Sequence, residues 1–479
     1  MFVGREDQLR DLKALCEKQV ASLVTCRGRR RIGKSTLISE FARQIKARFL
    51  HLEGVKPQRS FSNETELKAF HDQLEVQSGK KFTMPENWTE AFVQLDRCIR
   101  SNQRTVVLLD EISWFGHYEP AFADTIRICW DGYWKRHDRL IVVLCGSVSS
   151  WIKENIVDNG AFLGRRSQDI VVKELPLPQC VSFWGKKAQR LSSREILDVL
   201  SVTGGVPRYL EEINPSLSAA ENIKRLCFTP NGVLRTDFED MFKDVVTEEQ
   251  SFSGRILRAL VDRPRTAAEI SHDLSIPRNG RVSDALKRLV EAGFISSDSG
   301  KNPETGKDVA FERYRIKDNY ARFFLKYIEP VKEVIDSGRY AFKSLEALEN
   351  WNTIMGLQFE NLVVNNYQEL IPFLHLNDVL LTSVAPYRKN AVPSKKQKGV
   401  QIDLLIQSRK TNYIIEIKRK NEISRNIITE VDEKIDALKR PKTVSFKTAL
   451  VYAGELTPIV EADGYFDAII SAEVLLGLA

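Results

Sequence analysis

Two clusters in this chain have residue types and spacing suited to chemistry on phosphates. The first is Gly28-x4-Gly33-Lys34-Ser35. Glycines at that spacing let backbone N–H groups wrap around phosphate oxygens, and a following helix adds the positive end of its dipole. The lysine then reaches the β and γ phosphates of a nucleotide, and the serine hydroxyl ligates Mg2+. The second is Asp403…Glu416-x-Lys418, set inside the apolar runs of "QIDLLIQSRKTNYIIEIKRK". Within those twenty residues a solvated face and a metal site are both open readings. A half-buried carboxylate pair needs a counter-charge, which a divalent cation supplies economically.

The elements around the first cluster fit its task. An apolar strand, Ser22 to Cys26, runs into the loop, and a helix follows with Leu37, Ile38, Phe41 and Ile45 on one stripe. Gly28, Arg31, Ile32, Gly33, Lys34, Ser35 and Thr36 would line the phosphates. A second strand, "TVVLLDEISWF", ends in Asp110-Glu111. Carboxylates at the C-terminal end of a buried parallel strand lie where open α/β sheets bind ligands. Asp110 is expected to hold Mg2+ through water and Glu111 to polarise the attacking water. A third strand, "LIVVLCGSVSSW", ends in Gly146-Ser147, where Ser147 can touch the γ-phosphate or that water, or simply make a turn.

"FVGREDQL", the phosphate loop, the strand ending in Asp-Glu and the strand ending in Gly-Ser together resemble AAA+-related ATPases of the STAND and archaeal-ATPase type. The resemblance implies ATP as cofactor and places Phe2, Val3, Gly4 and Arg5 near the adenine. "FLGRRSQDIVVKEL" resembles the segment whose arginines approach a nucleotide, often on a neighbouring subunit; Arg165 and Arg166 match it. "TGGVPRYLEEI" resembles the lid motif, implying that Pro207 packs on adenine and Arg208 senses the γ-phosphate. Self-association is the corollary of arginines acting in trans.

From about Ser251 the pattern becomes helix, helix-turn-helix and hairpin, which resembles a winged helix-turn-helix. Thr266 and Glu269 form a capping-box signature. Arg281, Lys287 and Arg288 lie on the second helix of the motif, with Arg278 and Asn279 before it and Lys301 and Lys307 on the wing. These could contact DNA phosphates and base edges. Winged helices also serve as protein-interaction or lid-extension modules, so both roles stay open.

In the C-terminal hairpin, side chains alternate faces, so Glu416 and Lys418 share one face. A register that pairs Asp403 with either residue gathers all three charges, through a loop of about three to five residues between Ser408 and Asn412. The arrangement resembles the PD-(D/E)XK nuclease superfamily, which implies Mg2+ on Asp403 and Glu416, a lysine steadying the nucleophile, and a helix glutamate, here Glu360, as a third metal ligand. Gln401 stands where related archaeal proteins often carry an acid. From Pro386 to Lys447, basic residues outnumber acidic ones 16 to 7, a bias suited to a polyanion.

The chain of 479 residues carries a net charge of +7, 43% hydrophobic and 28% charged residues, as a folded globular protein does. The seven cysteines form no CxxC pair, which fits free thiols in a reducing compartment and excludes a zinc ribbon. No signal peptide and no membrane span are visible, so a cytoplasmic location is expected. The expected fold is α/β: an AAA+-like P-loop NTPase core (1–172), a helical lid (173–248), a winged helix-turn-helix with linker helix (249–330) and a restriction-endonuclease-like α/β domain (331–479). The expected function is ATP hydrolysis coupled to DNA binding, with a Mg2+-dependent nuclease domain. The alternative is a STAND-like, ATP-controlled switch whose nuclease-like fold only docks DNA or protein.

Overall fold

The computed structural model describes residues 2–100, 102–147, 149–245, 250–277, 279–309, 312–391 and 398–478. Contacts divide the chain into two compact units, Met1–Glu174 and Leu175–Ala479.

The first unit is built on five parallel strands, β1 (Ser22–Arg27), β2 (Arg48–Glu53), β3 (Thr105–Asp110), β4 (Leu140–Gly146) and β5 (Arg166–Val171). Their order is β2-β3-β4-β1-β5. Every residue of β3 and β4 is buried, because the sheet is covered on both faces and each strand must be apolar throughout. Val106 and Leu108 pack with Leu37, Ile38 and Phe41 of the helix Lys34–Gln44. Val107 and Leu109 belong to the opposite core, with Phe70, Trp88 and Phe92. Parallel strands end at one edge, so Arg27 pairs beside Gly146 and Glu53 beside Asp110.

One buried acid lies away from that edge. Glu66, on the helix Asn63–Ser78, is fully buried and accepts only the Val55 N–H, at 3.2 Å. Burial pushes its carboxyl up to about 7 from an ordinary 4.5, against the smaller effect of the Val55 bond. The folded protein therefore holds this proton longer than the unfolded chain. The stability it confers is full below about pH 4.5 and is lost as pH rises through 7. Glu66→Gln keeps the acceptor and removes the charge. It should stabilise the protein at pH 8.5 by up to about 3 kcal/mol and by little at pH 4.5. Thermal melting at the two pH values checks this.

In the second unit a single apolar core runs from Val202 to Met355 and includes Ile256, Leu286, Ile316 and Phe324. The helices Gln250–Leu260, Ala267–Asp273 and Gly280–Glu291 are followed by β7 (Ile295–Asp298) and β8 (Arg313–Ile316), with β6 (Arg265–Thr266) completing an antiparallel sheet in the order β6-β8-β7. The capping box forms: Glu269 N donates to Thr266 Oγ1 at 3.2 Å, and Thr266 N to Glu269 Oε2 at 2.7 Å.

The helix Trp351–Asn365 joins this core to a second sheet. Gln358 Nε2 donates to the carbonyls of Ser201 and Asn319, both at 2.7 Å, and Arg315 binds Asp298 Oδ2 at 2.8 Å as well as Asn361 and Asn365. The sheet is β9 (Leu381–Lys389), β10 (Val400–Ser408), β11 (Thr411–Ile423), β12 (Ser445–Leu456) and β13 (Ala468–Ser471), in the order β13-β12-β11-β10-β9. β9, β10 and β11 are antiparallel. The helix Asn426–Asp436 then crosses over, burying Ile427 and Val431, and β12 and β13 continue parallel to β11. The hairpin turn is tighter than expected. Only Arg409 and Lys410 lie between the strands, because Ser408 Oγ accepts from Thr411 N at 3.1 Å and Gln407 pairs with Asn412.

Candidate functional site

The phosphate loop closes β1. A Cβ on Gly28 would meet the Val172 carbonyl oxygen at 2.3 Å, so no side chain fits there. Gly33 and Arg31 take φ of 85° and 68°, which turns the chain into the helix at Lys34. Lys34 is buried, with Nζ donating to the Arg29 carbonyl at 3.1 Å. Ile32 is buried and Thr36 exposed. Arg5 reaches back to donate to the Ile32 carbonyl at 3.0 Å, tying the opening segment to the loop, and Phe2 packs on the same core as Ile32. Val3 and Gly4 are half-buried.

Ser35 Oγ donates to Asp110 Oδ2, bringing a hydroxyl and a carboxylate together across β1 and β3. His51, on β2, lies 3.2 Å from the same oxygen through Nε2. Burial opposes the Asp110 charge, but His51, Ser35 and Cys145 more than offset it and hold the carboxyl down to about 2. The same bond raises the His51 imidazole despite its partial burial. Sequence reasoning missed His51; its only signal was a polar residue inside the apolar run of β2.

Glu111 has φ 48°, a conformation unfavourable to a side-chain-bearing residue, and is buried. The backbone N–H and the hydroxyl of Ser147 donate to its Oε2, at 3.1 and 2.7 Å. Ser147 thus grips one oxygen of the carboxylate.

Arg165 and Arg166 find partners within the first unit. Arg165 pairs with Asp131 at 2.8 Å and donates to the Ala161 carbonyl, and Arg166 donates to the Val157 carbonyl at 3.0 Å. Pro207 and Arg208 belong to the second unit. Pro207 opens the helix Pro207–Leu210, and Arg208 pairs with Glu212 at 2.6 Å.

On the helix Gly280–Glu291, Arg281 and Lys287 are exposed and Arg288 half-buried; the Arg281 guanidinium lies 4.4 Å over the Phe252 ring. Arg278 falls outside the described residues. The wing differs from expectation. It is anchored on the C-terminal sheet: Lys389 pairs with Glu304 at 2.5 Å, Asn412 donates to the Pro303 carbonyl, and the Lys301 N–H goes to Ser383 Oγ at 3.2 Å. Lys307 remains exposed.

In the C-terminal sheet, Leu404 pairs with Ile415 and Leu405 with Ile414, so the register sets Asp403 opposite Glu416. The β9–β10 ladder is irregular between Ile402 and Leu405, which puts Asp403 at a break in pairing. Such bulges re-aim a side chain, and Asp403 Oδ2 here accepts the Ile417 N–H at 2.9 Å. Glu416 is fully buried between two lysines, Lys418 at 2.7 Å on Oε1 and Lys434 at 2.5 Å on Oε2. Lys418 also reaches Glu430 at 3.1 Å. Burial first, then Glu416, pushes Asp403 up to about 6. Burial works against the Lys418 charge, but Glu416 and Glu430 outweigh it and raise its pKa. Lys434 and Glu430, spaced i,i+4 on the crossover helix, were not singled out; only their position flanking the buried Val431 hinted at them.

Burial and Asp403 push Glu360 up to about 8, with Arg322 and Arg315 acting the other way. It feels Asp403 and Glu416 through charge without completing a ligand trio. Among the described residues no group of three or more His, Cys, Asp and Glu is close enough to hold a metal ion. Nor, among them, is any helix long and apolar enough to cross a membrane.

Residues 2–213 match the family described as "ATPase domain predominantly from Archaea", and residues 253–298 match a helix-turn-helix domain family. The chain is similar to the uncharacterized protein MJECL04 of Methanocaldococcus jannaschii, 22% identical over 434 residues that cover 89% of each chain. Among solved structures it is similar to the Walker-type ATPase of Pyrococcus abyssi (16% identity, 68% of this chain and 96% of that one, TM-score 0.49). It is also similar to the ORC2 protein of Aeropyrum pernix (15% identity, 70% and 93%, TM-score 0.43). This chain therefore carries an ATPase domain of the archaeal type, with a helix-turn-helix domain following it.

Proposed function

We propose that this protein hydrolyses ATP to act on DNA, and that its C-terminal sheet carries a phosphodiester-hydrolysing site. The grip of Ser147 on Glu111 supports the ATP half: a buried carboxylate with one oxygen held leaves the other to orient a water against the γ-phosphate. Lys34 would neutralise the phosphates. Ser35 and Asp110 fit Mg2+, because a hydroxyl and a carboxylate held ionised converge on one point. Mg2+ held there would supply positive charge against the phosphates.

The observation that carries the DNA half is Asp403, bulged out of the ladder opposite a fully buried Glu416 that bears Lys418 beside it. Asp403 and Glu416, set side by side by the hairpin, are the donors that would hold a cation, once Lys418 or Lys434 yields a Glu416 oxygen. Magnesium held by Asp403 and Glu416 would supply a water of lowered pKa. Lys418, itself held by Glu416 and Glu430, would steady the developing charge on the phosphate.

The occupation of both Glu416 oxygens by lysines favours a second reading, in which the fold docks DNA or protein while ATP controls self-association. Incubation with linear and circular DNA, in Mg2+ or Mn2+, with and without ATP, separates the two. Cleavage supports the nuclease; a metal-independent, salt-sensitive complex without cleavage supports docking.

A further inference from the structure

The carboxylate site borders a cavity between the winged helix and the C-terminal sheet. Asp298 and Arg313 line it from the winged helix, Glu360 from the helix Trp351–Asn365, and Arg388 and Gln401 from β9 and β10. Arg388 pairs across the ladder with Gln401, two residues along β10 from Asp403. An exposed guanidinium thus shares this cavity with Glu360.

The surroundings of Arg388 are positive. Burial lowers its pKa, Arg313 and Arg263 lower it further, and Glu269 is the acid that acts against them. Glu269 is already committed, since it accepts the Thr266 N–H at 2.7 Å and pairs with Arg313 at 3.0 Å. Guanidinium groups crowd together at a cost that a polyanion would relieve. The sequence from Pro386 to Lys447 also carries 16 basic residues against 7 acidic ones. A DNA backbone suits the site better than a single free phosphate, because Arg313 and Arg388 line the cavity from separate strands, β8 and β9.

We infer that Arg263, Arg313 and Arg388 form a DNA-backbone cradle at this junction, which lays a phosphodiester against the Glu360–Asp403 carboxylates. The inference rests on the nuclease reading for what happens next, but not for binding itself. The winged helix then contributes to DNA binding through its sheet side, next to the wing that is anchored on β9.

The test uses the full chain and a fluorescently labelled linear duplex, titrated by anisotropy in EDTA over a salt series, with melting temperature as the folding control. Each phosphate contact contributes about 0.9 to the slope of log K against log salt. Arg388→Ala is expected to lower that slope by about one and Arg388→Glu by more, with affinity falling roughly tenfold or more. Arg388→Lys is expected to keep most of the slope. Arg263→Ala, on an exposed side chain, serves as the second variant and is expected to act alike. Wild-type slope and affinity in Arg388→Glu and Arg263→Ala would overturn the cradle, as would the absence of salt-dependent binding by the unaltered protein. If the slope falls as expected but the unaltered protein cuts no DNA in Mg2+ or Mn2+, the cradle stands and the nuclease reading fails.

Discussion

Glu111→Gln should lower ATP turnover by about 10²–10⁴-fold while ATP affinity is retained. The amide keeps the size of the side chain and an oxygen that can still accept from Ser147, so the cleft and the strained turn at φ 48° survive. What would disappear is the negative charge that, in the proposed reaction, draws a proton from the attacking water. Lys34, Ser35 and Asp110 are untouched, so the groups that would bind the phosphates remain. Single-turnover hydrolysis beside equilibrium binding of a labelled nucleotide reads the two quantities apart. A parallel loss of affinity and turnover would make Glu111 a binding residue and leave the water without a base. Ser147→Ala is the milder companion: it removes the hydroxyl bond to Oε2, leaves the backbone N–H in place, and should cost turnover without abolishing it.

The first unit was legible because its signals are local. A phosphate loop needs glycines at fixed spacing, and a strand buried on both faces must be an unbroken apolar run, so Gly28 to Ser35 and Thr105 to Glu111 declare themselves within a few residues. His51 did not, since its pairing with Asp110 follows from the neighbouring of β2 and β3, which no short window of sequence encodes. The winged helix was legible through periodicity and the Thr266–Glu269 capping box. The anchoring of its wing through Pro303 and Glu304, between Lys301 and Lys307, was not legible, because the partners Asn412 and Lys389 lie in a distant sheet.

The C-terminal site shows the same limit more sharply. Strand alternation put Glu416 and Lys418 on one face and left open which of them Asp403 faces; the register, with Leu404 opposite Ile415, brings Glu416 beside it. The break in the ladder at Asp403, the two-residue turn and the closure of Lys434 on Glu416 depend on how β9 and the crossover helix pack against the hairpin. Glu360 was placed near the site, yet it stands off from a closed trio, and its altered proton affinity comes from burial before it comes from Asp403. The placing of the helix Trp351–Asn365 against a separate sheet decides that distance, and composition carries no record of it.

Asp403→Asn should reduce DNA cleavage by about a thousandfold or more, corresponding to roughly 4 kcal/mol of transition-state stabilisation, and leave ATP turnover unchanged. The change is isosteric, and an amide oxygen can still take the Ile417 N–H that Asp403 accepts at 2.9 Å. The hairpin should therefore keep its register. The expected stability effect runs opposite to the effect on activity. Burial and Glu416 push the Asp403 carboxyl up to about 6, so the folded state disfavours its charge. That stabilising contribution is complete below about pH 3.8 and gone once pH has risen through 6. At pH 8 in EDTA the uncharged variant should melt no lower than the natural protein. Added Mn2+ should raise the melting temperature of the natural protein more than that of the variant, which keeps only the Ser35–Asp110 site, since a ligand that binds only the folded state stabilises it by mass action. A variant that loses cleavage because it unfolds would melt lower instead. A variant that still cuts at the natural rate would remove Asp403 from the chemistry and leave the hairpin as a docking surface. A charge retained in a buried position at a cost to stability is what a functional carboxylate requires, and the two measurements together distinguish that case from a merely structural one.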